Sequence, residues 1–151
     1  MRKAGFDDVA EVARLFRVVR TTCLPYLPDL HTPEEDLWFF RERVFRDCAV
    51  WVSEANGIDG FCAFRAGWVD HLYVHPDRHA QGLGSALLGQ AMTAHRQLKL
   101  WVFQKNLRAI RFYEAHGFRL VRKTDGEDNE EHEPDALYEW RRGRSPAAGV
   151  S

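Results

Sequence analysis

Two glycines, Gly82 and Gly84, stand at a junction where the chain changes character. Before them Val69 to His75 reads as a strand that Pro76 ends, followed by the polar stretch Asp77-Arg78-His79-Ala80-Gln81. After them Gly82 to His95 reads as a helix, with Leu83, Leu87, Leu88, Ala91 and Met92 on one face. A strand, a turn and a helix start in that order aim several free backbone N–H groups at one point. The positive end of the helix dipole adds to them. Such a place binds phosphate, and glycine lets the ligand come close to the backbone. Taken alone, the pair also fits a strand-to-helix turn whose glycines serve only the backbone. No Gly-Lys-Ser/Thr is present for a P-loop, and no third glycine completes a dinucleotide fingerprint.

Other residues carry chemistry too. Asn106 and Tyr113 are seven apart in a segment with helical character, so they share one face about 10 Å apart. Asn106 reads equally as a helix cap, and Tyr113 as a core aromatic. His71 and His75 share a strand face, but no third ligand accompanies them, so no metal site is expected. The three cysteines, Cys23, Cys48 and Cys62, show no CxxC spacing. Cys48 and Cys62 read as reduced thiols in or beside strands; Cys23 follows a helix and could face a site. Between Asp125 and Asp135 there are seven Asp or Glu and no Lys or Arg. That run is either a solvated hairpin tip or a field that draws in a cation.

The elements that must position these residues follow one another simply. Asp8 to Glu11 reads as a capping box, opening a helix to about Arg20. Thr21 to Leu30 reads as a loop. Thr32-Pro33-Glu34-Glu35 opens a second helix, to about Arg46. Ala49 to Glu54 and Ile58 to Arg65 read as strands joined at Asn56-Gly57, and Val69 to His75 as a third. Leu98 to Phe103 reads as a buried strand and Asn106 to His116 as a helix that Gly117 closes. Phe118 to Lys123 and Ala136 to Arg141 are the last strands, and a short strand at Arg2 to Ala4 precedes the whole. The pattern predicts one domain over residues 1–142, of mixed α/β or α+β class, with a frayed tail over 143–151.

The strand end Leu72-Tyr73-Val74-His75-Pro76, the glycine loop, and the downstream run from Asn106 to Phe118 together resemble the GCN5-related N-acetyltransferase (GNAT) family. The likeness covers nearly the whole chain. It implies a mostly antiparallel twisted sheet with one splayed strand pair and helices on both faces. It implies acetyl-CoA as acetyl donor, a primary amine as acceptor, and direct attack in a ternary complex. The family's loop motif, Gln/Arg-x-x-Gly-x-Gly/Ala, falls on His79 to Gly84; His79 replaces Gln or Arg, and Ala80 stands where glycine is common. The resemblance assigns coenzyme contacts to His79, Ala80, Gln81, Gly82, Leu83, Gly84 and Ser85. It assigns the pantetheine arm to the backbone of Leu72, Tyr73 and Val74 and to Asn106. It makes Tyr113 the acid that protonates the leaving thiolate. The base that activates the amine is open: Asp70 is the first candidate, with His71, Glu133 and Asp135 behind it.

The acceptor site is implied between the first two helices and the loop of the last two strands, at Thr21 to His31 and Asp125 to Asp135. Tyr26, Leu27 and Trp38 would give it an apolar wall. A homodimer, common in the family, is also implied. The reading from another class is a non-catalytic acyl-CoA sensor, which would not need Tyr113. Composition narrows the rest. The net charge is −1 and the cations are scattered, which counts against a nucleic-acid partner. No apolar run reaches the ~20 residues of a membrane span, and the start lacks the apolar core of a signal peptide. A reducing cytoplasm is the expected compartment.

Overall fold

The second helix begins as its sequence predicts. Thr32 Oγ1 accepts from Glu35 N at 3.1 Å, and Thr32 N donates to Glu35 Oε1 at 2.8 Å. This reciprocal box fixes the start of α2, Pro33–Phe39. The expected continuous helix to Arg46 is instead α2, a π turn over Phe40–Val44, and the short α3, Phe45–Asp47. The wider turn presents Phe39 and Phe40 together to His71, at 6.0 and 5.6 Å between ring centres. The box expected at Asp8 does not form. Asp8 instead binds Arg2 and the N–H of Gly5, while Glu11 accepts from Ile58 N at 2.7 Å. A 3-10 turn over Phe6–Asp8 therefore leads into α1, Val9–Cys23. The computed structural model describes residues 1–79 and 81–143. Ala80 and residues 144–151, most of the expected tail, lie outside the described residues.

The strands are β1 (Arg2–Lys3), β2 (Ala49–Ala55), β3 (Gly57–Arg65), β4 (Trp68–Val74), β5 (Gln97–Phe103), β6 (Arg119–Lys123) and β7 (Asp135–Arg141). They form one sheet in the order β1-β2-β3-β4-β5-β7-β6. Every neighbouring pair is antiparallel except β4 and β5. Helices α4 (Leu83–Ala94) and α5 (Leu107–Ala115) follow β4 and β5. The fold is thus the expected mixed α+β sheet with helices on both faces.

Two cores sit on opposite faces. One joins α4 and α5 to Cys62, Leu98, Leu100, Val102, Phe118 and Trp140. The other joins α1 and the α2 region to Val50, Val52, Phe61 and Ala63. Strand β5 shows the alternation. Leu98, Leu100 and Val102 are buried, while Trp101 is 43% exposed, so the strand is covered on one face rather than buried throughout.

Candidate active site

Strands β4 and β5 pair at Trp68↔Lys99, and beyond that their paired register stops. β3 to β4 carries a bulge: Ala63 faces His71 and Phe64 faces Val69, leaving Asp70 as the extra residue. The two central strands therefore part toward their C-terminal ends, and backbone groups on facing edges are left for a ligand. A cleft of about 290 Å³ lies at this split. Leu72, Val74, His79, Gly82, Leu83, Gly84, Ser85 and Tyr113 line it, as do Arg78, Arg108 and Phe112.

The glycine loop is shaped by two different demands. Gly82 caps α4 at φ 79°, a left-handed conformation that costs an L-residue about 1–2 kcal/mol. A side chain there would meet nothing within 4 Å, so this backbone faces open space in the cleft. Gly84 answers a fold constraint instead: a Cβ would stand 3.2 Å from the Phe112 ring, where α4 meets α5. The sequence suggested ligand approach for both glycines; packing against α5 also requires the second.

His79 does more than replace a Gln or Arg. Its Nε2 lies 2.9 Å from Val74 O, so it must carry the proton and donate to that carbonyl. Burial depresses its pKa, favouring the neutral ring and this tie over a charged phosphate contact. Two arginines supply the positive charge. Arg78 Nε lies 3.1 Å from Asp59 Oδ2, which offsets part of its field. Arg108, exposed in the first turn of α5, has no ion-pair partner among the described residues. Sequence reading missed both because their order in the chain gives no hint that they meet; only the position of Arg108 two residues after Asn106 was a signal. The anion-binding backbone, the two cations and the open Gly82 face fit a coenzyme pyrophosphate.

Other expected residues fall elsewhere. Asn106 Oδ1 accepts from Ala109 N at 3.3 Å, which is the cap reading. Asn106 and Gln81 do not line the cleft, and Ala80 lies outside the described residues. Asp70 Oδ2 accepts from Arg65 Nε at 2.6 Å and from the Cys48 thiol at 3.5 Å, and Asp70 does not line the cleft.

Tyr113 is 8% exposed, with its phenol pushed up by burial. Cys62 and then Tyr73 lie near enough to oppose its ionisation further. Tyr73 packs on the α1 face, 5.3 Å from Phe16 between ring centres. Burial also pushes Tyr73 up, while Arg20 works against the shift. Past Tyr73, the end of α1 and the α1–α2 loop meet the acidic loop. Arg20 Nη2 binds Glu131 Oε2 at 3.0 Å, and His31 Nε2 lies 2.5 Å from Glu130 Oε1. Lys105 Nζ lies 5.3 Å above the Tyr26 ring and 3.5 Å from Glu133 Oε2.

The acidic run is ordered, and its carboxylates divide: Asp125, Glu127, Asp128 and Glu130 stay exposed. Asn129 Nδ2 donates to Glu133 O at 2.7 Å, and its Oδ1 accepts from Glu133 N at 3.1 Å. Thr124 Oγ1 donates to the buried Asp135 carboxylate. Gly126, at φ 83°, packs so closely that a Cβ would stand 2.3 Å from the Glu133 carbonyl carbon. The Glu131 and Glu133 side chains turn inward, at 16% and 12% exposure. A second cleft, of about 460 Å³, runs between this loop and Trp101, Phe103 and Arg122.

Comparison with known proteins agrees with this arrangement. The acetyltransferase (GNAT) domain family matches residues 46–120. The chain is 31% identical over 124 residues to the peptidyl-lysine N-acetyltransferase YiaC of Escherichia coli K12, covering 71% of this chain and 84% of that protein. Its fold is similar to the solution structure of apo YjaB from Escherichia coli, with a TM-score of 0.74, 20% identity and coverage of 92% and 95%. It is also similar to the Thermoplasma acidophilum PaiA N-acetyltransferase in complex with coenzyme A, with a TM-score of 0.68, 17% identity and coverage of 93% and 96%. The chain belongs to the GNAT family. It is an enzyme, an N-acetyltransferase that takes its acetyl group from acetyl-CoA, and the sensor alternative gives way to that assignment.

Proposed function

We propose that this enzyme acetylates the ε-amine of lysine in peptides or proteins. The observation that carries the reading is the ordered acidic loop, whose Glu131 binds Arg20 of α1 and whose Glu133 holds the ammonium of Lys105. Such a loop gives a field for a cationic side chain. The cleft beside Trp101 offers room for a flanking chain. The similarity to YiaC points the same way.

On this reading the backbone of Leu72, Tyr73 and Val74 holds the pantetheine arm, with one N–H polarising the thioester carbonyl. The loop from His79 to Ser85 and the Arg108 guanidinium hold the pyrophosphate. Tyr113, kept protonated by burial, gives its proton to the departing sulfur. The pairing of Asp70 with Arg65 supports a local structural role for it, so the base is sought on the other face. Asn106 sets the start of α5 and so the position of Tyr113. Residues 1–142 act as one domain, supported by a single sheet that includes both β1 and β7. The three cysteines, each a free thiol, suit a reducing cytoplasm.

The test is an acetyl-CoA consumption screen over lysine peptides, polyamines, aminoglycosides and N-terminal amines. Lysine peptides should give the highest kcat/KM; a polyamine or drug that exceeds them overturns the reading. Tyr113→Phe should lower kcat about 100-fold with acetyl-CoA affinity unchanged by calorimetry. Full turnover in that variant removes Tyr113 as the acid.

A further inference from the structure

Two buried polar atoms beside the acidic loop, the Tyr26 hydroxyl and Glu133 Oε2, have no hydrogen bond from the described residues. Burying a polar atom without a hydrogen bond costs about 1–3 kcal/mol, and at Glu133 the ion pair with Lys105 offsets part of that cost. Glu133 is not loosely placed, because Asn129 clamps its N–H and its carbonyl. Glu133, after burial itself, opposes ionisation of the Tyr26 phenol.

One cation already visits this place. Lys105 Nζ lies over the Tyr26 ring and 3.5 Å from Glu133 Oε2, beside it but not hydrogen-bonded to it, on a side chain that is 60% exposed. A primary ammonium over an aromatic face and against a carboxylate is what a lysine side chain presents. The other charged or titratable groups facing this spot are Arg20 and Tyr73, with Glu131 neutralising Arg20 from the acidic loop. Tyr73 lies in β4 between Leu72 and Val74, both of which line the donor cleft.

We propose that Glu133 is the catalytic base of this enzyme: its Oε2, with the Tyr26 hydroxyl, receives the acceptor's ammonium in place of Lys105 and takes one proton from it. This rests on the lysine-acceptor reading. The nitrogen lone pair then forms the C–N bond at the acetyl carbonyl carbon, and the C–S bond breaks. The sulfur takes the proton of Tyr113, and the second proton shed by nitrogen restores the tyrosine. The proton on Glu133 passes to solvent. The sum is an ammonium and a thioester giving an amide, a thiol and one released proton.

The experiment uses the full chain, a lysine peptide and acetyl-CoA, with kcat/KM followed from pH 6 to 10. Glu133→Gln keeps the side chain's shape and should cut kcat/KM about 100-fold at pH 7, within the range for a lost general base. Its rate should keep rising tenfold per pH unit toward the free lysine's pKa of about 10.4, because only free amine then reacts. The unaltered enzyme should level off earlier. Coenzyme affinity should not change. Lys105→Met should lower the peptide KM several-fold by removing the internal occupant. A Glu133→Gln enzyme with kcat/KM within twofold of the parent across the range overturns the proposal, as does a loss in kcat with an unaltered pH profile. An unaltered enzyme that acetylates other amines but no lysine peptide overturns the lysine reading, and this proposal with it.

Discussion

The two sides of the strand split are built from different materials. The donor side is mostly backbone: parted strands, a left-handed Gly82, and the open amides of the α4 start. Its side chains vary in role, since His79 serves the fold by binding Val74 O while Arg108 lends charge. The proposed acceptor side is mostly side chains: Asn129 clamping Glu133, Arg20 on Glu131, Thr124 on Asp135. Backbone recognition tolerates sequence change, because any residue supplies an N–H. Side-chain recognition does not, so one half of the site follows a common pattern and the other half individualises the enzyme.

The difference should be visible in substitutions that act on one side only. Gly126→Ala has the largest expected effect. Its Cβ would collide with the Glu133 backbone at 2.3 Å, and its φ of 83° disfavours any side chain. The loop must open, so kcat/KM for the amine should fall about 100-fold, or about 2.7 kcal/mol, with acetyl-CoA affinity within twofold. Equal losses on both sides would break the division.

His71 comes next. It is ringed by Phe16, Phe39, Phe40, Phe61 and Tyr73, and burial lowers its pKa from 6.5 to about 4, with Arg20 adding to the effect and Asp70 opposing it. The unfolded chain binds this proton first. The stability owed to a neutral His71 is therefore complete above pH 6.5 and lost as the pH falls toward 4. The loss should reach about 2 kcal/mol, short of the full linkage value because the ring keeps some exposed area. Denaturant melts of His71→Phe between pH 7 and 4 should lack this slope; an unchanged slope would place the titration elsewhere.

Gly82→Ala should weaken acetyl-CoA about tenfold, through 1–2 kcal/mol of left-handed strain, and leave the amine KM alone. Calorimetry and peptide kinetics on the same variant check both halves. Thr32→Ala should have the smallest effect. Losing a cap at the start of α2 costs about 1 kcal/mol, a few degrees in Tm, with acceptor kinetics moved more than coenzyme affinity.

The sequence made the donor side legible because its signals are local. A strand end, a GxG and a helical face lie within twenty-odd residues, and Asn106 to Gly117 adds a helix with its cap and stop. The sheet's elements could be read for the same reason, to within a residue or two at most ends. Reading failed where a choice depended on distant partners. Asp8 and Glu11 have the spacing of a box, yet Arg2 and the Ile58 N–H compete for their carboxylates. The helix expected to reach Arg46 contains a π turn beside His71, thirty residues away in the chain. The acidic loop was visible only as charge. Which of its carboxylates turn inward depends on Asn129 and on the close packing at Gly126, and neither can be seen in a composition.

The parting of β4 and β5 has a cost that falls on the molecule's upkeep. It opens two strand edges in the middle of a sheet rather than at its rim, although His79 ties down Val74 O. An edge of that kind invites other strands and exchanges its amide hydrogens readily. On the proposed reading, the pantetheine arm would sit there as a short eighth strand. Binding to the native chain alone stabilises it by about 2.7 kcal/mol at a hundredfold excess over Kd. The protein's lifetime would then follow the cell's supply of coenzyme, so that a shortage of acetyl donor would slow the reaction and also thin out the enzyme that performs it.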